Sequence, residues 1–227
     1  MLPLVFDCLT GKSRQHLALL PLPHSTAHFL QPQAVKAFQS LQQVAKKAGF
    51  NLQPASTFRD FTRQKWIWDN KFNGIRKVHN DQGENINLSL LSEWQKCLAI
   101  LRWSALPGAS RHHWGTEIDI FDPDLLPKGQ SLQLAPQEYQ QNGYFAPLVE
   151  FLQQHLADFD FYLPFLELPE DKKIGIEPWH ISYRPIAEKL QPLLTPEVLL
   201  EAWKNETIAG KKILTKHLKE IFDQFIL

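Results

Sequence analysis

Across residues 116–121 the chain alternates, with Ile118 and Ile120 on one side and Glu117, Asp119 and Phe121 on the other. A strand of this kind buries its isoleucine face and holds two carboxylates on the opposite one. The rest of the chain must therefore build a sheet with one packed side and one side that carries acid. The surrounding segments are helical by period. Residues 33–48 put Ala34, Phe38, Leu41, Ala45 and Ala48 on one face, with Pro32 in the first turn and Gly49 just past the end. Residues 61–72 group Phe61, Gln64 or Lys65, Trp68 and Phe72, and stop before the Asn73-Gly74 turn signal. Residues 88–103 predict a third helix through Leu91, Trp94, Leu98 and Leu101, closed by Pro107-Gly108. Residues 174–183 are rich in β-branched and aromatic side chains, but Pro178 cannot donate to a ladder, so that strand lies at an edge or is interrupted there. Beyond it Thr195-Pro196 reads as an N-cap and first-turn pair, and Ile213, Leu214, His217, Leu218, Ile221, Phe222 and Phe225 form the apolar face of a terminal helix.

A chain of 227 residues with 44% hydrophobic content can bury a sizeable core, which predicts one domain over 1–227 and argues against disorder. Basic and acidic residues number 24 each, so no net positive field gathers nucleic acid or anionic lipid. No apolar run is long enough to span a bilayer. The first ten residues contain Asp7 and lack a basic start, so they do not read as a secretory signal. The expectation for the chain as it stands is a cytoplasmic location, or a periplasmic or cell-wall one if an upstream segment precedes it. Cys8 and Cys97 are expected as two buried free thiols.

Two stretches carry chemistry. In Ser110-Arg111-His112-His113-Trp114-Gly115-Thr116-Glu117-Ile118-Asp119 an imidazole and a carboxylate stand where a loop enters the short strand, and Glu177-Pro178-Trp179-His180 adds a second acid and imidazole downstream. A catalytic zinc site takes three nitrogen or oxygen ligands at roughly 2.0–2.2 Å and leaves one position open for water. Two histidines and an aspartate meet that need, and Glu177 is then left over to move a proton. Either stretch alone is weak, because a lone histidine is more often a hydrogen-bonded core or surface residue. Together they are specific.

These residues resemble the zinc D-alanyl-D-alanine carboxypeptidases and dipeptidases of VanY and VanX type, which share a fold with the hedgehog signalling domain. The family pattern Ser-x-His-x-x-Gly-x-Ala-x-Asp is matched at Ser110, His112, Gly115 and Asp119, and the later Glu-x-Trp-His at Glu177, Trp179 and His180. An upstream Ser-x-Tyr-Arg-Ser-x-x-x-Gln setting resembles Ser56-Thr57-Phe58-Arg59-Asp60-Phe61-Thr62-Arg63-Gln64. The resemblance implies one zinc ion on His112, Asp119 and His180, Glu177 as general base and then acid, and Arg59 at the oxyanion. It also implies Ser110 on the substrate backbone and Gln64 on its terminal carboxylate. The implied substrate is a peptidoglycan-type peptide cut near its C-terminus. The expected fold is α+β, a small antiparallel sheet carrying the zinc site and flanked by helices. In it a peptidase core of about 30–190 precedes a helical C-terminal extension of about 191–227, which either covers the core or forms a partner surface.

Glu117 departs from the family alanine. Three roles stand open for it: a solvated or salt-bridged acid at the strand end, which is favoured, a contact to a substrate amine, or an acceptor for a ligand histidine. His113 is expected to point away from the site, and Trp179 to wall the cleft. Glu177 and His180 are three apart, so a regular strand would send them to opposite faces and a bend at Pro178 is required. Rival readings are a non-haem iron oxygenase, disfavoured because His112 and Asp119 are seven apart, a zinc-bearing binding module without turnover, and a peptidoglycan endopeptidase. Glu177 and Arg59 argue against the binding module, since neither is needed merely to hold zinc.

Overall fold

A computed structural model describes residues 3–22 and 27–226. The chain opens with α1 (Pro3–Thr10), β1 (Ala18–Leu20), β2 (His28–Leu30), α2 (Pro32–Lys47), β3 (Gln53–Ser56), α3 (Phe61–Phe72) and α4 (Glu93–Leu101). It continues through β4 (Glu117–Phe121), α5 (Pro136–Tyr139), α6 (Ala146–His155), β5 (Phe161–Tyr162) and β6 (His180–Tyr183). Four helices close it: α7 (Arg184–Leu190), α8 (Pro196–Trp203), α9 (Lys211–Lys216) and α10 (Leu218–Phe225). The fold is α+β. Among the described residues no helix is long and apolar enough to cross a membrane.

The alternating segment becomes β4, an inner strand of a four-stranded antiparallel sheet in the order β3-β4-β6-β5. Its register against β6 pairs Glu117 with Ser182, Ile118 with Ile181 and Asp119 with His180. Residues directly opposite one another share a face, so this register puts the acids, Ser182 and His180 together on one side and the isoleucines on the other. The isoleucine side packs with Phe38, Leu41 and Ala45 of α2 and Leu148 and Leu152 of α6. On the β3 side Ser56 pairs with Asp119 across an irregularity between Pro54 and Ser56, which directs the chain from Asp119 toward Arg59.

Three expected elements are broken, each by a local cause. The helix expected over 88–103 divides into a 3-10 turn, Leu88–Leu90, and α4, because Ser92 is extended and forms a capping box with Gln95. The strand expected over 174–183 is ladder-paired only as β6. Pro178 lies in the turn before it, so the interruption holds and the edge placement does not. The single terminal helix is two, α9 and α10, meeting at His217, whose ring stacks on Trp94 with centroids 4.1 Å apart and whose Nδ1 lies 3.1 Å from Glu220.

The C-terminal helices pack into the cluster that contains Phe61, Trp68, Ile100 and Trp114, contributing Leu199, Trp203, Leu214, Leu218 and Ile221. They are tied to it by hydrogen bonds as well. Trp203 donates to the Pro107 carbonyl at 2.7 Å and Trp68 to that of Ala209 at 3.0 Å. The first of these bonds holds the loop that leads into Ser110. Cys8 and Cys97 are free and buried, and burial pushes their thiols up to about 11 and about 12, so neither is a nucleophile.

Candidate metal centre and active-site cleft

His112 sits in a 3-10 turn, Arg111–Trp114, that ends at Gly115 with φ +70°. That left-handed conformation favours glycine at the sharp entry into β4, and a Cβ there would also press on the Leu17 side chain. His112 Nδ1 lies 2.7 Å from the Thr57 carbonyl, which can only accept, so Nδ1 carries the proton and Nε2 is left bare. His180 is set the other way round. In the neutral ring its Nε2 donates to Glu117 Oε2 at 2.6 Å, and Nδ1 is left bare.

The two bare nitrogens face one carboxylate: His112 Nε2 is 3.3 Å from Asp119 Oδ2, and His180 Nδ1 is 3.1 Å from Asp119 Oδ1. Ligand atoms of His112, Asp119 and His180 all lie within 4.8 Å of one another. Asp119 Oδ1 is buried without a hydrogen-bond partner among the described residues. Lone pairs converging this way in a buried place require a cation between them, and the donor set of two imidazoles and a carboxylate suits zinc. In the metal-free chain a proton answers the same demand. Burial alone would lower the His180 pKa, but Asp119, Glu117 and Glu177 raise it well above the usual imidazole value.

Glu117 is fully buried, with 0% of its surface exposed, which overturns the favoured picture of a solvated acid at a strand end. It is the acceptor that fixes a candidate ligand histidine. Besides His180 it accepts from Ser182 Oγ at 2.7 Å and Thr116 Oγ1 at 2.9 Å, with Arg111 Nη2 at 3.4 Å. Burial works against its charge, yet Arg111 and His180 hold the carboxyl down at about 2. Arg111 is held in turn by Gln191 and Tyr162.

The turn before β6 solves the spacing of Glu177 and His180. His180 N–H donates to the Glu177 carbonyl at 3.1 Å, so the chain curls and brings Glu177 Oε2 to 3.4 Å from His180 Nδ1. Glu177 keeps its side chain 16% exposed, at the edge of a cleft of about 450 Å³ that Arg59, Ser110, His112, Asp119, Trp179 and His180 also line. Trp179 is both wall and packing, against Tyr139 with centroids 5.3 Å apart.

Arg59 Nη1 donates to Gln64 Oε1 at 2.7 Å and Nη2 to Ser56 Oγ at 3.3 Å. Gln64 is not where a substrate carboxylate could reach it. It is 0% exposed, and its Nε2 is spent on the Ala105 carbonyl at 2.6 Å, so its amide aims Arg59 instead. His113 points away from the metal cluster. It lies 2.6 Å from the Arg59 carbonyl through Nδ1 and accepts from Gly108 N–H through Nε2 at 3.0 Å, a neutral ring bonded at both ends. Burial is the main reason its pKa falls to about 3.

Sequence reasoning passed over Lys71 and Arg76, which line the same cleft. The signal was there for Lys71, seven residues after Gln64 and so on the same face of α3.

This architecture, a short antiparallel sheet presenting two imidazoles and acids to a cleft, matches one class of hydrolase. The family model described as VanY, D-alanyl-D-alanine carboxypeptidase, covers residues 27–186, the whole stretch from β2 to β6. The chain belongs to the VanY family and is a peptidase of D-alanyl-D-alanine carboxypeptidase type. It is also similar to an uncharacterised protein of Haemophilus influenzae, 57% identical over 122 residues, which are 54% of this chain and 93% of that protein. Among solved structures, VanYB in complex with D-alanine-D-alanine superposes with a TM-score of 0.54 at 21% identity, covering 86% of this chain and 92% of that one. A mutant of the vancomycin-resistance D,D-pentapeptidase VanY in complex with Zn(II) gives 0.51 at 23% identity, covering 82% and 92%. These two likenesses are of fold.

Proposed function

We propose that the chain is a zinc-dependent carboxypeptidase that removes a residue from the C-terminus of peptidoglycan-type peptides. The observation that carries this is the opposed setting of the two imidazoles, Nε2 of His112 and Nδ1 of His180, toward the two oxygens of the Asp119 carboxylate, of which Oδ1 has no hydrogen-bond partner among the described residues. Zinc held by His112, Asp119 and His180 supplies Lewis acidity, which lowers the pKa of water and polarises a carbonyl. Glu177, beside the cluster and open to the cleft, takes the proton of the attacking water on its carboxylate and returns it to the leaving amine. Arg59 lies in the same cleft with its fork fixed by Gln64 and Ser56, so its charge meets the developing oxyanion without reorganising. Ser110, at the cleft wall, contacts the substrate backbone.

The test is release of D-alanine from a peptide ending in D-alanyl-D-alanine. Glu177→Ala is expected to lower the rate by about 10²- to 10⁴-fold while metal content stays unchanged. Turnover unaffected by that substitution would refute the mechanism.

A further inference from the structure

The cleft holds more positive charge than the reaction just described uses. Arg59, Lys71 and Arg76 all line it, and among the described residues none of the three has a carboxylate within ion-pair distance, although other lysines and arginines of the chain do. Lys71 is built in. Its Nζ donates to Ser104 Oγ at 2.7 Å, and the next residue, Ala105, accepts from Gln64, which aims Arg59. One short segment thus holds Arg59, through Gln64, and Lys71 along the same side of the cleft. Burial, reinforced by the Arg76 and Arg59 charges and only partly offset by Glu177, lowers Lys71 to about 8, as expected of a buried ammonium set among cations. An anion brought by the ligand would relieve that cost.

We propose that Lys71, with the exposed Arg76, binds the free C-terminal carboxylate of the substrate. The inference rests on the peptidase reading. With Arg59 at the scissile carbonyl, a terminal carboxylate lies one residue further along the chain, a step of about 3.3–3.6 Å in extended form. The same cleft offers, besides the Arg59 guanidinium for the oxyanion, the Lys71 ammonium and the Arg76 guanidinium for a carboxylate. Gln64, whose amide is committed elsewhere, is replaced in this role.

The experiment measures binding to zinc-loaded Glu177→Ala protein of three peptides: one ending in D-alanyl-D-alanine, its C-terminal amide, and the same amide bearing a side-chain carboxylate. The free acid is expected to bind about 10- to 100-fold more tightly than the plain amide. Lys71→Met should abolish most of that preference and Lys71→Arg retain part of it. Arg76→Gln, at an exposed position, should reduce it without endangering the fold. Equal binding of acid and amide overturns the proposal, as does an acid preference that survives both Lys71→Met and Arg76→Gln. Recovery of affinity by the side-chain carboxylate overturns the terminal assignment. Hydrolysis by the wild-type chain is followed in parallel: selective binding of the acid without hydrolysis refutes the peptidase reading and leaves the carboxylate site standing.

Discussion

Glu117 shows how one side chain sets the chemistry of another. By accepting a hydrogen bond from His180 Nε2–H it fixes which ring nitrogen faces Asp119, and partners of this kind commonly contribute 10- to 100-fold in metal affinity. Glu117→Ala is therefore expected to weaken zinc binding by about that factor in competition with a chromophoric chelator. An unchanged affinity would mean that Glu117 only fills space. His113 makes a second prediction. Its folded pKa is about 3 against an ordinary 6.5, so below about pH 6.5 the unfolded chain takes up a proton that the folded chain refuses. Stability of the metal-free protein should fall with decreasing pH by as much as about 1.4 kcal/mol per unit from this group, down to about pH 3. Denaturant titrations between about pH 4 and about pH 6 should show a shallower slope for His113→Gln. His112, Asp119, His180 and Glu177 stood out by residue type and spacing once the two stretches were read together, and Arg59 through the family resemblance; all five line one cleft. The fates of Glu117 and Gln64 were not legible, since they depend on partners 63 and 41 residues away that no local pattern announces.

At the scale of elements, the periodic segments were legible where one rule governed them. Helix α3 runs Phe61–Phe72 as its apolar spacing predicts, and α2 Pro32–Lys47 within a residue of the expected bounds. Where a polar side chain offered the backbone another partner, period lost. Ser92 capping α4 is the clearest instance, because the apolar face of 88–103 runs through it unbroken. Ser92→Ala should lower stability by about 0.5–2 kcal/mol in chemical denaturation and leave turnover unchanged, since α4's cap lies outside the cleft lining. A loss of activity without loss of stability would show that α4 does more than pack. The β6 pairing was harder to foresee. Its extended approach, 172–177, makes no ladder, and only the register against β4 decides that Asp119 meets His180.

Across the whole molecule, the sheet's isoleucine side and the C-terminal helices hold the site from two directions, α2 and α6 behind it and α8 to α10 beside it. Trp203 joins the second support to the active-site loop through Pro107. Trp203→Ala should cost about 3–5 kcal/mol by removing a fully buried ring, read as a lowered midpoint in thermal or denaturant unfolding. A shift of under about 1 kcal/mol would show that the extension is not part of the core. The central claim is that these supports exist to hold zinc between His112, Asp119 and His180. Elemental analysis of the purified wild type, Glu177→Ala and His180→Ala proteins tests it most directly. The account predicts one zinc per chain in the first two and none in the third. Wild-type protein without stoichiometric metal, or His180→Ala protein that keeps its zinc, would contradict it.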